Sequence, residues 1–241
     1  MKSCRDAMPA AHGLTAPRTS NGGVHEDSLG RHDQALVGAD ARPGEVLVTL
    51  RDGSRVTVRP IRPQDAAPLR AGFERLSDES RYRRFLSPMQ ELSGPMLRYL
   101  TEVDHHDHEA LIAVGVDGTL VGVARSVRSR SDPQVAEAAV TVADDWQGRG
   151  LGTALLELLA DCARAEGISR FTALTLAANR DMLDLLESLG PVRILERVAG
   201  TIELEITLPR RGAGAHLREL LRGSASGRYK VIATPADGLD S

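Results

Sequence analysis

The chain has 241 residues, 41% of them hydrophobic, and a net charge of −3 with an isoelectric point near 6.2. That length and apolar fraction are enough for one full-sized core with tails, and the mild acidity leaves no general electrostatic reason to bind nucleic acid or an anionic membrane. No stretch approaches the roughly 18 apolar residues of a membrane span, no apolar signal segment follows Met1-Lys2, and the two cysteines, Cys4 and Cys162, fit a reducing cytoplasm better than a disulfide framework.

Residues 1–45 mix Gly, Pro, Ala, Ser, His and Asp without a sustained apolar period and read as a disordered leader. The folded part, residues 46–209, opens with a hairpin: Val46–Leu50 and Arg55–Arg59 are rich in β-formers, and Asp52-Gly53 between them is a strong turn signal. Asp65–Leu76 reads as a helix, and a second helical segment follows Ser77-Asp78 through Phe85. Leu92–Val103 reads as a third, with Ser93 placed to cap it. Ala110–Val116 and Leu120–Ala124 flank Asp117-Gly118, a second hairpin signature. Ala136–Val142 supplies a central strand.

A long helix then starts near Leu151, because Leu151, Ala154, Leu155, Leu158, Leu159 and Cys162 recur at the spacing of a buried stripe, and Gly167 ends it. Phe171–Leu176 reads as a strand and Asn179–Leu189 as a helix capped near Asn179. Val192–Val198 and Thr201–Leu208 form a last hairpin across Ala199-Gly200. Residues 210–241 are a C-terminal extension, partly helical or disordered, with a short amphipathic piece around Leu217–Leu221 and no pattern after it. Hairpins outside and one strand–helix–strand crossover inside make a mixed α/β sheet.

The junction Val140-Thr-Val-Ala-Asp-Asp-Trp-Gln-Gly-Arg-Gly-Leu-Gly-Thr153 carries most of the functional information. It joins the central strand to the long helix through glycines that admit φ values closed to other residues and let a ligand approach the backbone. Unpaired N–H groups at a helix start, favoured by the helix dipole, suit an anion such as a phosphate. Two better-known phosphate loops do not fit: there is no G-x-x-x-x-G-K-[ST], and Gly148-x-Gly150-x-Gly152 lacks the last spacing of G-x-G-x-x-G.

Gln147-Gly-Arg-Gly150-Leu-Gly152 resembles the Q/R-x-x-G-x-G/A pyrophosphate motif of the GCN5-related N-acetyltransferases (GNAT). Ala136-Glu137-Ala-Ala-Val-Thr-Val-Ala-Asp-Asp145 is similar to the central strand of their bacterial Pat-type protein lysine acetyltransferases. Arg59-Pro-Ile-Arg-Pro63, Ser80-Arg-Tyr-Arg-Arg-Phe85, Val103-Asp-His-His-Asp-His108 and Ser131-Asp-Pro-Gln-Val135 extend the likeness, so that it covers roughly Val46 to Pro209. The resemblance implies a GNAT fold, a mostly antiparallel twisted sheet with helices on both faces. It also implies acetyl-CoA as cosubstrate, bound by Gln147, Gly148, Arg149, Gly150, Leu151, Gly152 and Thr153, with its pantetheine arm along Val140, Thr141 and Val142 and contacted by Asn179. No metal is required. The acceptor it implies is a lysine on a protein, for which an acyl-CoA synthetase is one candidate; neither nucleic acid nor a membrane is involved.

Transfer of an acyl group to an amine needs a base for the proton of the attacking ammonium. Glu137 is the candidate: it is a carboxylate in an apolar strand, where burial would raise its pKa toward the working range, and the resemblance gives the glutamate of this strand that role. A solvent-facing strand glutamate is the other reading of the residue alone. Asp144 and Asp145 either shape an acidic entrance or solvate the loop and favour the helix start; Arg149 either meets pyrophosphate or is a surface arginine; Asn179 either contacts the cofactor or only caps its helix. Arg81, Arg83 and Arg84 form a basic run, read first as a solvated helix face. Asp104-His105-His106-Asp107-His108 lacks metal-site spacing. Many relatives carry a tyrosine acid seven residues after the asparagine, where this chain has Leu186; a thiol pKa of about 8.5 makes the thiolate a tolerable leaving group without it. A small-molecule amine acetyltransferase and a non-catalytic acyl-CoA sensor remain as rival readings.

Overall fold

The structure, a computed structural model, describes residues 45–209 and 229–233. The leader up to Gly44, Cys4 and the amphipathic piece at Leu217–Leu221 lie outside the described residues.

Two antiparallel hairpins lead into the sheet. Strands β1 (Val46–Leu50) and β2 (Arg55–Pro60) turn at Asp52-Gly53, and β3 (His108–Gly115) and β4 (Leu120–Arg128) turn at Asp117-Gly118. Gly53 and Gly118 take φ +83° and +82°, which is why glycine stands at each turn. Three helices lie between the hairpins: α1 (Ala66–Glu74), α2 (Asp78–Phe85) and α3 (Gly94–Thr101). The serines at Ser77 and Ser93 cap α2 and α3, accepting from the backbone N–H of Ser80 at 3.2 Å and of Met96 at 3.4 Å. The expected helix from Asp65 instead opens with a 3-10 turn over Pro63–Asp65, because the Asp65 carboxylate is drawn back to the Arg62 N–H at 2.7 Å and to the Arg59 guanidinium at 2.7 and 2.8 Å.

Strand β5 (Val135–Val142), helix α4 (Leu151–Ala165) and strand β6 (Arg170–Leu176) form the crossover, followed by α5 (Arg180–Glu187) and the hairpin β7 (Val192–Val198) and β8 (Thr201–Thr207). Helix α4 buries Leu151, Ala154, Leu155, Leu159 and Ala163; each fully buried leucine contributes roughly 1.5–3 kcal/mol. Gly167, at φ +78°, follows its last turn as a left-handed cap.

Among the described residues the sheet has nine strands, in the order β7-β8-β6-β5-β4-β3-β2-β1-β9. Every pairing is antiparallel except β5 with β6. Strand β9 (Tyr229–Ala233) is a departure from the sequence reading, which finds no pattern there: it pairs with β1 from Val46↔Ala233 to Leu50↔Tyr229 and covers that edge. Helix α4 and α5 cover one face, with Phe171, Leu186 and Ile206 in the core; α1 and α3 cover the other through Ile61, Leu69, Phe73, Leu97 and Leu100. Among the described residues no helix is long and apolar enough to cross a membrane.

Candidate active site

The parallel pair β5 and β6 touches only at its start, through Val135↔Arg170, Ala136↔Phe171 and Glu137↔Thr172. Beyond Glu137 the strands part, while β5 stays paired with β4 as far as Val142 and β6 with β8 as far as Leu176. The crevice therefore opens at the carboxyl ends of the parallel strands, the usual place for a ligand in such a sheet.

Backbone direction along β5 follows from two bonds to β4: Ser129 N–H donates to the Val135 carbonyl at 2.8 Å and Ala143 N–H to the Val121 carbonyl at 2.9 Å. In an antiparallel pair alternate residues turn both polar groups to the partner. The odd-numbered residues of β5 thus face β4, and Ala138, Val140 and Val142 turn their N–H and C=O groups into the crevice, where an extended ligand arm can pair like an added strand.

At the mouth of the crevice lies the glycine loop. Gly148 and Gly150 take φ +72° and +91°, and Gly150 occupies the N-cap position of α4 without any side-chain cap. Ala154 is the first amide bonded within the helix, to the Gly150 carbonyl at 3.1 Å, so the N–H groups of Leu151, Gly152 and Thr153 precede that ladder. Gly152 answers to a different constraint: a Cβ there would lie 3.2 Å from Leu185 Cδ2, so it serves the close packing of α4 on α5. A cleft of about 430 Å³ runs from this loop along Val140, Thr141 and Val142 to α5, a size suited to a cofactor arm. Gln147, Gly148, Gly150, Leu151, Gly152, Thr153 and Asn179 all line it.

Arg149 does not line the cleft. Its guanidinium pairs with Asp52 at 2.9 Å, donates to the Asp145 carbonyl at 2.5 Å and stacks over Trp146, so it ties the loop to the β1–β2 turn. The cations in the cleft wall are Arg51, Arg83 and Arg84. The basic run marked the last two, whereas nothing local distinguishes Arg51. Arg81 is turned away, donating to the Phe73 and Glu74 carbonyls and holding α2 to α1.

Asp144 is a fastener between α2 and the loop. Its carboxylate accepts from the Ser77 N–H at 2.7 Å and from the Ser80 hydroxyl, and the Gln147 amide donates to it at 3.2 Å and to the Val142 carbonyl at 3.1 Å. Burial pushes its pKa up, but the serine hydrogen bonds and the nearby Arg83 hold it below the ordinary carboxylate value. The Gln147 side-chain amide thus ties the loop to the end of β5 and to Asp144.

Glu137 stands at the last paired position before the strands part. Its side chain is exposed to solvent, which corrects the expectation of an apolar setting: the apolar face of β5 belongs to Ala136, Ala138 and Val140, packed under α4, while Glu137 shares the opposite face with Ala139 and Thr141. Asn179 caps α5, accepting from the Met182 N–H at 3.3 Å, and also lines the cleft. Leu186 is buried in the core. The histidines face different ways: His105 toward Glu109, His106 toward Glu166, and His108 toward Arg125. Cys162 is half-buried, and burial, then Glu109 and Asp161, push its thiol up to about 11, which makes it a poor nucleophile.

A parted pair of parallel strands leading to an uncapped glycine-loop helix defines the class, a mixed α/β protein with a crevice at the carboxyl ends of its parallel strands. Residues 72–190 match the Acetyltransferase (GNAT) family. Acetyltransferase Pat of Mycolicibacterium smegmatis is 36% identical over 165 residues, covering 68% of this chain and 49% of that protein. Acetyltransferase PA5475 of Pseudomonas aeruginosa is 39% identical over 145 residues, covering 59% of this chain and 77% of its own length. The crystal structure of the GNAT domain of S. lividans PAT superposes with a TM-score of 0.64 at 35% identity, over 70% of this chain and all of that one. This chain belongs to the GNAT family of acetyltransferases, which use acetyl-CoA; it spans about half the length of the mycobacterial Pat.

Proposed function

We propose that this chain moves the acetyl group of acetyl-CoA directly onto the ε-amine of a lysine in a protein substrate, in the cytoplasm. The observation that carries the reading is the crevice between β5 and β6, with the backbone groups of Val140 and the N–H of Val142 turned into it along one wall and the glycine loop at its end. In this reading the N–H groups from Gly148 to Thr153 hold the pyrophosphate, with Arg51, Arg83 and Arg84 adding positive charge. The N–H of Val140 or Val142 polarises the thioester oxygen, a contribution of about 2.7–4 kcal/mol in comparable oxyanion holes.

Glu137 accepts the proton of the incoming ammonium, directly or through one water. The freed amine attacks the carbonyl carbon, a C–N bond forms, and the C–S bond breaks. With Leu186 where many relatives carry tyrosine, the sulfur departs as thiolate and water protonates it, consistent with a thiol pKa of about 8.5. The protein acceptor is supported by the likeness to proteins named Pat, and an acyl-CoA synthetase is one candidate.

The test is incubation of the full chain with acetyl-CoA and a cell lysate, with acetylated lysines mapped by mass spectrometry and thiol release followed in parallel. New lysine sites that need the active chain support the reading. Thiol release with small amines alone would overturn the protein acceptor, and acetyl-CoA binding without transfer to any amine would leave a sensing module.

A further inference from the structure

On the α1–α3 side of the sheet a second cavity, of about 60 Å³, lies against β4 and β5. Leu69, Phe73, Leu76, Leu92 and Leu100 make it largely apolar, and it meets the cofactor cleft at Thr141 and Arg84, which line both. Arg125 is also among its lining residues. In the β4–β5 register Arg125 lies opposite Ala139, so its side chain shares the face of Ala139 and Thr141.

Arg125 is 7% exposed. Its Nη1 meets His108 Nε2 at 3.0 Å and its Nη2 donates to the Leu100 carbonyl at 3.2 Å. Neither partner carries negative charge: burial, with the Arg125 charge beside it, pushes His108 down to about 4, so it is a neutral acceptor. Among the described residues no carboxylate forms an ion pair with Arg125. Glu137 is only a diagonal neighbour across the strands and keeps its side chain in solvent. Burial and the like charge of Arg84 push Arg125 down to about 9, so it remains a cation near neutral pH. A buried charge without a counter-charge is expensive, and here it borders a cavity next to the strand that would carry the thioester.

We propose that this cavity is an acyl-chain subsite for donors that end in a carboxylate, short ω-carboxyacyl thioesters of coenzyme A such as malonyl or succinyl, with Arg125 as the counter-charge. The proposal rests on the reading that the thioester lies beside Val140–Val142. Its volume is about four to six water-sized spheres, matching the three or four heavy atoms by which these groups exceed acetyl, and it is too small for an amino-acid acceptor. The chemistry of transfer is unchanged: the C–S bond breaks, the C–N bond forms, and the distal carboxylate stays on the transferred group. A carboxylate beside Arg125 replaces the absent counter-charge, whereas an apolar chain of equal length leaves the guanidinium uncompensated.

The experiment is calorimetric binding of coenzyme A, acetyl-, butyryl- and succinyl-CoA to the full chain and to Arg125→Met and Arg125→Lys. Succinyl and butyryl chains are similar in length and differ in the terminal charge. Wild type is expected to bind succinyl-CoA at least tenfold tighter than butyryl-CoA, with the ratio falling at least tenfold in Arg125→Met and less in Arg125→Lys. If Arg125→Met does not fold, the wild-type ratio and Arg125→Lys decide. Equal or tighter binding of butyryl-CoA by wild type overturns the proposal, as does an Arg125→Lys or Arg125→Met change that weakens all donors alike. If neither coenzyme A nor any thioester binds the wild type, it is the cofactor-cleft reading that falls.

Discussion

Gly150 offers the sharpest perturbation of the cleft. Its φ of +91° and ψ of 3° lie beyond the small left-handed region open to other residues, and placing a side chain in left-handed backbone costs roughly 1–2 kcal/mol. Alanine should sit near the low end and valine, β-branched, at or above the high end. The Gly150 carbonyl also takes the first helical bond, from Ala154 at 3.1 Å, so relief of the strain must disturb the start of α4 and the amides to which the proposed function gives the pyrophosphate. If binding has to restore the loop, the strain appears as lost affinity, at 1.4 kcal/mol per tenfold: about 5-fold for Gly150→Ala and about 30-fold or more for Gly150→Val. Gly152→Ala should lose less than either, since its Cβ would meet only the flexible end of Leu185 at 3.2 Å. Acetyl-CoA titration calorimetry measures the affinities, and melting temperatures, which move by about 2–4 °C per kcal/mol in a domain of this size, separate global destabilisation. Unchanged affinity in Gly150→Val, whatever its melting temperature, would refute the loop as the pyrophosphate site.

Glu137→Gln should keep acetyl-CoA affinity and lose about 10²–10⁴-fold in transfer rate, with the deficit narrowing at high pH as an acceptor lysine of pKa about 10.4 arrives deprotonated; matching rate profiles from pH 6 to 9 would make the residue structural. Asp65→Asn breaks the bidentate pair with Arg59, whose partners are 8% and 17% exposed, and should cost about 3 kcal/mol, the low end for a buried pair, read as a shift in urea midpoint. Burial pushes Asp65 up, but the bonds from Arg59 and Arg62 outweigh it and its folded pKa is depressed; its contribution is therefore present above an unfolded value of about 3.9 and is lost as pH falls through the folded one, so wild type and variant should converge below about pH 4. Cys162, pushed up to about 11 chiefly by burial, should react with iodoacetamide at pH 8 far more slowly in the folded chain than in urea, and site-resolved mass spectrometry showing equal rates would contradict its placement on the inner side of α4.

What the sequence determined is what neighbouring residues dictate to one another. Asp52-Gly53, Asp117-Gly118 and Ala199-Gly200 announce hairpins because their glycines relieve positive φ, Ser93 and Asn179 announce helix starts because their side chains bond an amide three residues on, and the stripe from Leu151 to Cys162 announces a helix with one buried side. The glycine loop was legible for the same reason. Tertiary structure alone decided where β5 and β6 part, since that depends on sheet twist and on register with strands far along the chain. It also decided that Arg149 is drawn away to Asp52 while Arg51 takes a place in the cleft, that Glu137 looks into solvent, and that Tyr229–Ala233 closes the edge at β1. Arg125 shows the limit most clearly: by ending the apolar run after Ala124 it looked like the end of a strand, yet β4 continues to Arg128, because pairing with β5 satisfies the backbone whatever the side chain. Only the layer of helices above that strand, where the Leu100 carbonyl accepts from it, makes Arg125 a buried charge.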